Sequence, residues 1–336
     1  MMNSIDFPNL GIHFNNVPSG FTVFGFEIKL YAVVIACGFL AAFWIASNEA
    51  KRTGQDQEMY LDYLLFMLIP SILGARLYYV LFNLDYYFES GLSFGQILGR
   101  VLNLRQGGLA IYGGVIGGVI VCLIFSKVRK VSFFTMLDTI MIGVPLAQAM
   151  GRLGNFFNRE AFGTYTNSLL TMAIPVEYYE NHGSLAGLVR EGIITEEMLA
   201  NTVDGSIWVH PTFLYEALWN LALFAFLMVW TRRKRFRGET FAIYLFGYGV
   251  GRFLIESLRT DPLMIGNTNL RVSQVLALVL AIGSVIFYIY RDVEYRRYGK
   301  YVIEVGNVAG KKESKKHTET DDRTETKNHT GESEDK

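Results

Sequence analysis

The sequence predicts an all-α polytopic membrane protein with about seven transmembrane helices and a small external loop domain. Three observations predict it. Apolar runs of spanning length recur along the chain. Short connections rich in lysine and arginine contrast with one long acidic connection. Finally, 51% of the 336 residues are hydrophobic and 14% aromatic, although basic and acidic residues balance at 31 each. No nucleic-acid partner is expected.

Residues 1–29 form an amino-terminal lead without the basic n-region or cleavage site of a signal peptide, and are read as external. Spans are predicted at 30–47, 59–83, 109–126, 132–151, 212–231, 240–256 and 272–290, with charges interrupting the second and sixth. Lys51 and Arg52 follow the first; Lys127, Arg129 and Lys130 the third; Arg232, Arg233, Lys234, Arg235 and Arg237 the fifth. These three connections are expected in the cytoplasm, which puts the amino terminus outside and the carboxyl terminus inside. The connection at 152–211 carries Glu160, Glu177, Glu180, Glu191, Glu196, Glu197 and Asp204 against Arg152, Arg159 and Arg190, and is predicted as an external cap. Thr195 is placed there as the cap of a short helix. Gly113/Gly117 and Gly114/Gly118 in the third span have the spacing of close helix packing. Cys37 and Cys122 sit on apolar runs and imply neither a disulfide nor a metal site. Residues 291–336 make a cytoplasmic polar tail, and from about Lys311 it has almost nothing to bury, so disorder is expected and His317 and His329 are read as solvated.

Polar residues cluster where the apolar runs end. From Gly151 to Gly163 the chain reads Gly-Arg-Leu-Gly-Asn-Phe-Phe-Asn-Arg-Glu-Ala-Phe-Gly. Arg152 and Arg159 can pair with phosphate or carboxylate, Asn155 and Asn158 can orient them, and Gly151, Gly154 and Gly163 let backbone N–H groups approach a ligand. In the sixth span Tyr248, Arg252, Glu256 and Arg259 are spaced four, four and three apart, on one helix face. Two arginines to one glutamate leave a positive surplus that an anion would satisfy, whereas an ion pair that only joins helices would need none. Arg76, followed by Tyr78 and Tyr79, is a cation at the external interface that can equally snorkel within an aromatic belt. His210 precedes the fifth span, where a capping role and a catalytic or gating role are both open. Glu216 lies six residues further on, well round the helix from it. Ser273 and Gln274 open the last span without an assigned role. There is no Gly-x-Ser-x-Gly, His-Glu-x-x-His or Gly-x-x-x-x-Gly-Lys, which disfavours a serine hydrolase, a zincin and a P-loop enzyme.

The Gly151–Gly163 segment resembles the signature of the prolipoprotein diacylglyceryl transferases, G-R-x-G-N-F-x-N-x-E-x-x-G, at every fixed position. Gly74-Ala75-Arg76-Leu77-Tyr78-Tyr79 is similar to the family's G-x-R-x-x-Y, His210 to Glu216 to its H-P-x-x-x-Y-E, and Tyr31 to a tyrosine of its first helix. The resemblance covers about residues 20 to 290. It departs at Tyr112, where the family pattern has histidine before Gly113-Gly114, so a histidine base at that position does not carry over.

The resemblance implies a bacterial plasma-membrane enzyme whose transmembrane catalytic body spans 30–290. It would transfer diacylglycerol from phosphatidylglycerol to the lipobox cysteine of a prolipoprotein signal peptide, with no cofactor. Arg152, Arg252, Asn155, Glu256 and Tyr112 are the implied catalytic residues. Tyr31, Arg76, Tyr79, Asn158, Glu160, Gly163, His210, Tyr248 and Arg259 are the implied substrate contacts. Two other classes would use similar residues: a transporter of anionic substrates, expected to have paired halves that this chain lacks, and a non-enzymatic phospholipid-binding scaffold.

Overall fold

The computed structural model describes residues 3–89, 91–103, 107–265, 268 and 270–298. Its helices begin with α1 (Leu30–Arg52), α2 (Gln57–Leu81), α3 (Leu84–Tyr87), α4 (Phe94–Leu102), α5 (Ile111–Val128), α6 (Phe133–Ile140) and α7 (Val144–Asn158). The long connection holds α8 (Val176–Asn181), α9 (Leu185–Arg190) and α10 (Glu196–Ala200), the last capped by Thr195 as expected. Then come α11 (Thr212–Trp230), α12 (Glu239–Glu256) and α13 (Val272–Tyr298).

Among the described residues, α1, α2, α5, α11 and α13 are each long and apolar enough to cross a membrane, and α6 with α7 adds a sixth crossing if the bent pair is one span. Outward-facing residues such as Phe66 and Ile69 on α2, Ile120 on α5 and Ile286 on α13 are apolar and exposed, as a lipid-facing surface must be. The predicted sixth span, α12, is 18 residues long but carries Glu239, Arg252 and Glu256; it packs against both α11 and α13. The predicted fourth span is broken: α6 and α7 meet at 44°, where Gly143 is followed by Pro145 in the first turn of α7. The last helix runs to Tyr298, past its predicted end, while the rest of the polar tail, with His317 and His329, lies outside the described residues.

Small residues set the helix spacing. A Cβ on Gly117 would stand 2.6 Å from the Pro70 carbonyl, so α5 lies directly on the α2 backbone, as the Gly113/Gly117 spacing predicted. The same rule seats α1 on α7, where a Cβ on Gly38 would meet the Ala147 carbonyl at 3.2 Å.

The two ends of the bundle differ. At one, the basic connections after α1, α5 and α11 meet acidic partners: Arg52 with Glu49 at 2.6 Å, Arg129 with Asp62, and Arg235 with Asp292 at 2.9 Å. Buried Asp138 on α6 accepts from the Gly238 and Phe241 amides at 2.8 and 3.0 Å, which caps the positive end of α12 from a neighbouring helix. At the other end sits a small sheet. Strands β1 (Ile5–Phe7), β2 (Ile12–Phe14), β5 (Met172–Pro175) and β6 (Ser206–Val209) pair antiparallel in the order β2-β1-β5-β6, and β3 (Gly20–Val23) and β4 (Phe26–Lys29) form a hairpin leading into α1. Ile5, Phe7, Met172, Ile174, Ile207 and Val209 pack with Phe162, Met198 and Phe213 into a separate core. The loop domain is therefore part β, and it recruits the amino-terminal lead. Strands of three or four residues are too short to show alternation in sequence.

Candidate active site

Where the bundle meets the sheet, five helices bring polar side chains together. Glu216 on α11 is buried and lies between two guanidiniums, with Arg152 Nε on α7 3.0 Å from one carboxylate oxygen and Arg252 Nη1 on α12 3.0 Å from the other. Arg252 Nη2 also pairs with Glu256 at 2.6 Å, one turn along α12, and reaches Ser273 Oγ on α13 at 3.4 Å. Ser273 Oγ is in turn 3.1 Å from the Tyr112 hydroxyl on α5. The distances describe one continuous network from Arg152 to Tyr112. Carboxylates hold both arginines in a largely buried setting, where an unpaired charge would be costly.

The signature residues surround this network. α7 does not stop at Gly151; it runs on to Asn158, so Arg152 and Asn155 lie one turn apart on a rigid helix. Asn155 and Asn158 both donate to Glu160 Oε1, at 2.8 and 3.0 Å. The glycines act differently from the expectation of bare N–H groups. Gly154 makes room for the Tyr31 ring, and the Gly163 amide is already bonded to the His210 carbonyl at 2.8 Å. A Cβ on Gly163 would also collide with the Leu258 carbonyl and stand 2.8 Å from the Thr212 methyl, which explains glycine there. His210 Nδ1 is 3.1 Å from the Tyr215 hydroxyl, and burial lowers its pKa below the ordinary value, which favours neutral imidazole. Tyr248 stacks on Tyr244 and lies within electrostatic range of Glu216, Arg252 and Arg152.

Three arginines depart from the expectations. Arg259 lies beyond the end of α12, in a bridge to Gly163, and forms a two-pronged pair with Asp261 at 2.8 and 2.7 Å. Burial raises the Asp261 pKa, but the Arg259 contact outweighs this and holds the carboxyl below its usual value. Glu216 and Asp261 thus cancel the positive surplus read from the α12 sequence. What remains for an anion is donor geometry: Arg152 contacts Glu216 through Nε, and its side chain keeps 26% exposure.

Arg76 is buried and gives all five N–H donors to the carbonyls of Arg100, Val101, Asn103, Gly107 and Gly108, at 2.7 to 3.0 Å. It has none left for a lipid head group, so that expectation is corrected: Arg76 clamps the connection between α4 and α5. Tyr79 packs beside it, against the Gly108 backbone and the Tyr87 ring. Arg159 is buried as well. It donates to the Asn3 and Val17 carbonyls at 2.8 and 2.9 Å and stacks over Tyr178, so it ties the lead to the sheet domain and is not available to an anion.

The description "Prolipoprotein diacylglyceryl transferase" matches this chain over residues 18–290. The chain belongs to that family. It is 38% identical over 270 residues to a phosphatidylglycerol--prolipoprotein diacylglyceryl transferase of Clostridioides difficile, covering 80% of this chain and 93% of the relative. Proteins of the same name from Listeria welshimeri and Bacillus cereus are 38% identical over 286 residues (85% and 94% covered) and 39% identical over 266 residues (79% and 88% covered).

Against this family background, sequence reasoning missed the centre of the network. In the sequence Glu216 is only the last residue of the His210 motif, and its partners Arg152 and Arg252 come from other helices. Ser273 stood out as a polar residue opening a span, without a partner. Arg271, which donates to the Glu256 and Arg259 carbonyls, carried no signal beyond its charge.

Proposed function

We propose that the protein transfers the diacylglyceryl group of phosphatidylglycerol to the thiol of a prolipoprotein lipobox cysteine, forming a thioether and releasing glycerol phosphate. The observation that carries this reading is the convergence of Arg152 and Arg252, from separate helices of an apolar bundle, on one carboxylate. Two guanidinium forks held in place between helices suit a phosphate that must leave with added negative charge.

The thiolate sulfur attacks the glycerol carbon bonded to the phosphate oxygen, and the carbon–oxygen bond breaks. Its electron pair leaves with that oxygen, so glycerol phosphate departs as an anion, and the thiol proton is released in the net reaction. Arg152 and Arg252 bind the phosphate and stabilise the developing charge. Asn155, aligned by Glu160, orients the phosphate, and Glu256 holds Arg252. Tyr112 supports Arg252 through Ser273. With tyrosine in place of histidine, direct approach of the thiol to the guanidinium donors of Arg152 and Arg252, not a net positive charge, lowers the cysteine pKa from about 8.5 to favour the thiolate. Tyr31, Tyr79, Asn158, Gly163, His210, Tyr248 and Arg259 complete the proposed substrate contacts.

The reading places the protein in a bacterial plasma membrane with its amino terminus outside and its carboxyl terminus in the cytoplasm. The basic connections after α1, α5 and α11 support that orientation. Residues 1–29 with 152–211 then form the external domain, 30–290 the catalytic body and 291–336 the cytoplasmic tail. Incubating purified protein with labelled phosphatidylglycerol and a lipobox-cysteine peptide tests the proposal. Label on the peptide sulfur is the expected result, whereas lipid binding without transfer would overturn it.

A further inference from the structure

A second polar layer lies one turn deeper than the arginine network. Gln148 precedes Arg152 by four residues on α7, Asn220 follows Glu216 by four on α11, and Tyr248 precedes Arg252 by four on α12. Each step of four residues is just over one helical turn, about 6 Å, and on each helix it leads away from the sheet end. Asn220 is 1% exposed, yet among the described residues neither its Oδ1 nor its Nδ2 has a hydrogen-bond partner. Gln148 Oε1 is likewise buried without a partner among the described residues. A buried amide with both ends unpaired is a cost that folding alone does not explain, least of all on a helix that crosses lipid. The same face of α11 carries Glu216 just above.

We infer that Asn220 is a substrate-binding residue whose Nδ2 donates to an acyl-ester carbonyl of the phospholipid held by Arg152 and Arg252. This rests on the transfer reaction proposed above. In a glycerophospholipid with its phosphate at the arginines, the ester carbonyls lie a few bonds further along, toward hydrocarbon, which is the direction in which Asn220 lies. An ester carbonyl only accepts, so it matches the Nδ2 donor and not Oδ1. The contact selects ester-linked over ether-linked lipid, because an ether has no carbonyl to receive the amide.

The test compares transfer to a lipobox peptide from diester phosphatidylglycerol and from its dialkyl-ether analogue of equal chain length, with the unmodified protein and Asn220→Leu. The unmodified protein should show a KM about tenfold lower for the diester, one hydrogen bond's worth. Asn220→Leu should raise the diester KM to the ether value and leave the ether KM unchanged. It should melt no lower than the unmodified protein, because an apolar side chain replaces an unpaired amide. Asn220→Ala serves for the same comparison if leucine prevents folding. Equal losses on both lipids, an unmodified protein indifferent to the ester, or a lower melting temperature with no change in lipid preference would overturn the inference. Absence of transfer from either lipid by the unmodified protein would instead remove the reaction on which it rests.

Discussion

Replacing Glu216 by glutamine isolates the charge at the centre of the network while keeping its shape. In the native arrangement each carboxylate oxygen serves one guanidinium at 3.0 Å. Glutamine keeps one acceptor and turns an amide NH2 toward the other arginine. Arg252 retains Glu256 at 2.6 Å, so the disturbance falls mainly on Arg152. A charge-assisted hydrogen bond is worth roughly 1.5–3 kcal/mol, and an arginine displaced from the departing phosphate loses its share of transition-state stabilisation. We expect kcat to fall about a hundredfold, which corresponds to roughly 2.7 kcal/mol, with KM for phosphatidylglycerol within a few-fold of the native value. The labelled-lipid transfer assay measures both. The reasoning fails if kcat stays within about threefold while KM drops about tenfold, since Glu216 would then be competing with the phosphate for the arginines and not holding them.

Three further perturbations separate roles. Tyr112→Phe removes one neutral hydrogen bond, worth about 1 kcal/mol, and should slow transfer about fivefold, whereas Arg252→Ala should cost a hundredfold or more; equal losses in the same assay would refute that ranking. Arg76→Lys leaves three donors for five carbonyls, so thermal unfolding in detergent should shift down by several degrees while the KM of the surviving enzyme holds; a raised KM at unchanged melting temperature would restore a head-group role. Burial lowers the His210 pKa, so the unfolded chain takes up a proton first as pH falls. The stability contributed is whole above the unfolded pKa, about 6.5, and declines below it. His210→Gln should flatten that decline in a pH series of melting temperatures, and an unchanged slope would show that His210 is not its source.

Much of the architecture was legible because membrane crossing is written in one dimension. Apolar length, basic connections and the Gly113/Gly117 spacing are properties of short stretches, and the spans they marked correspond to α1, α2, α5, α11 and α13. The sheet was not legible, because β1 pairs with β5 across about half of the chain, Asp6 opposite Ala173. Nor was the break between α6 and α7, whose Gly143 and Pro145 sit inside a run apolar enough to read as one span.

For the site, sequence alone determined which residue types gather near the membrane surface: the Gly151–Gly163 signature, the Arg252–Glu256 turn and the His210 motif. Tertiary structure decided what each charge does. Arg76, Arg152, Arg159 and Arg259 look alike in a string, yet one clamps carbonyls, one meets Glu216, one ties down the amino-terminal lead and one pairs with Asp261. The reason is physical. A guanidinium's role is set by the partner that faces it at about 3 Å, and that partner comes from a distant segment brought close only by helix packing.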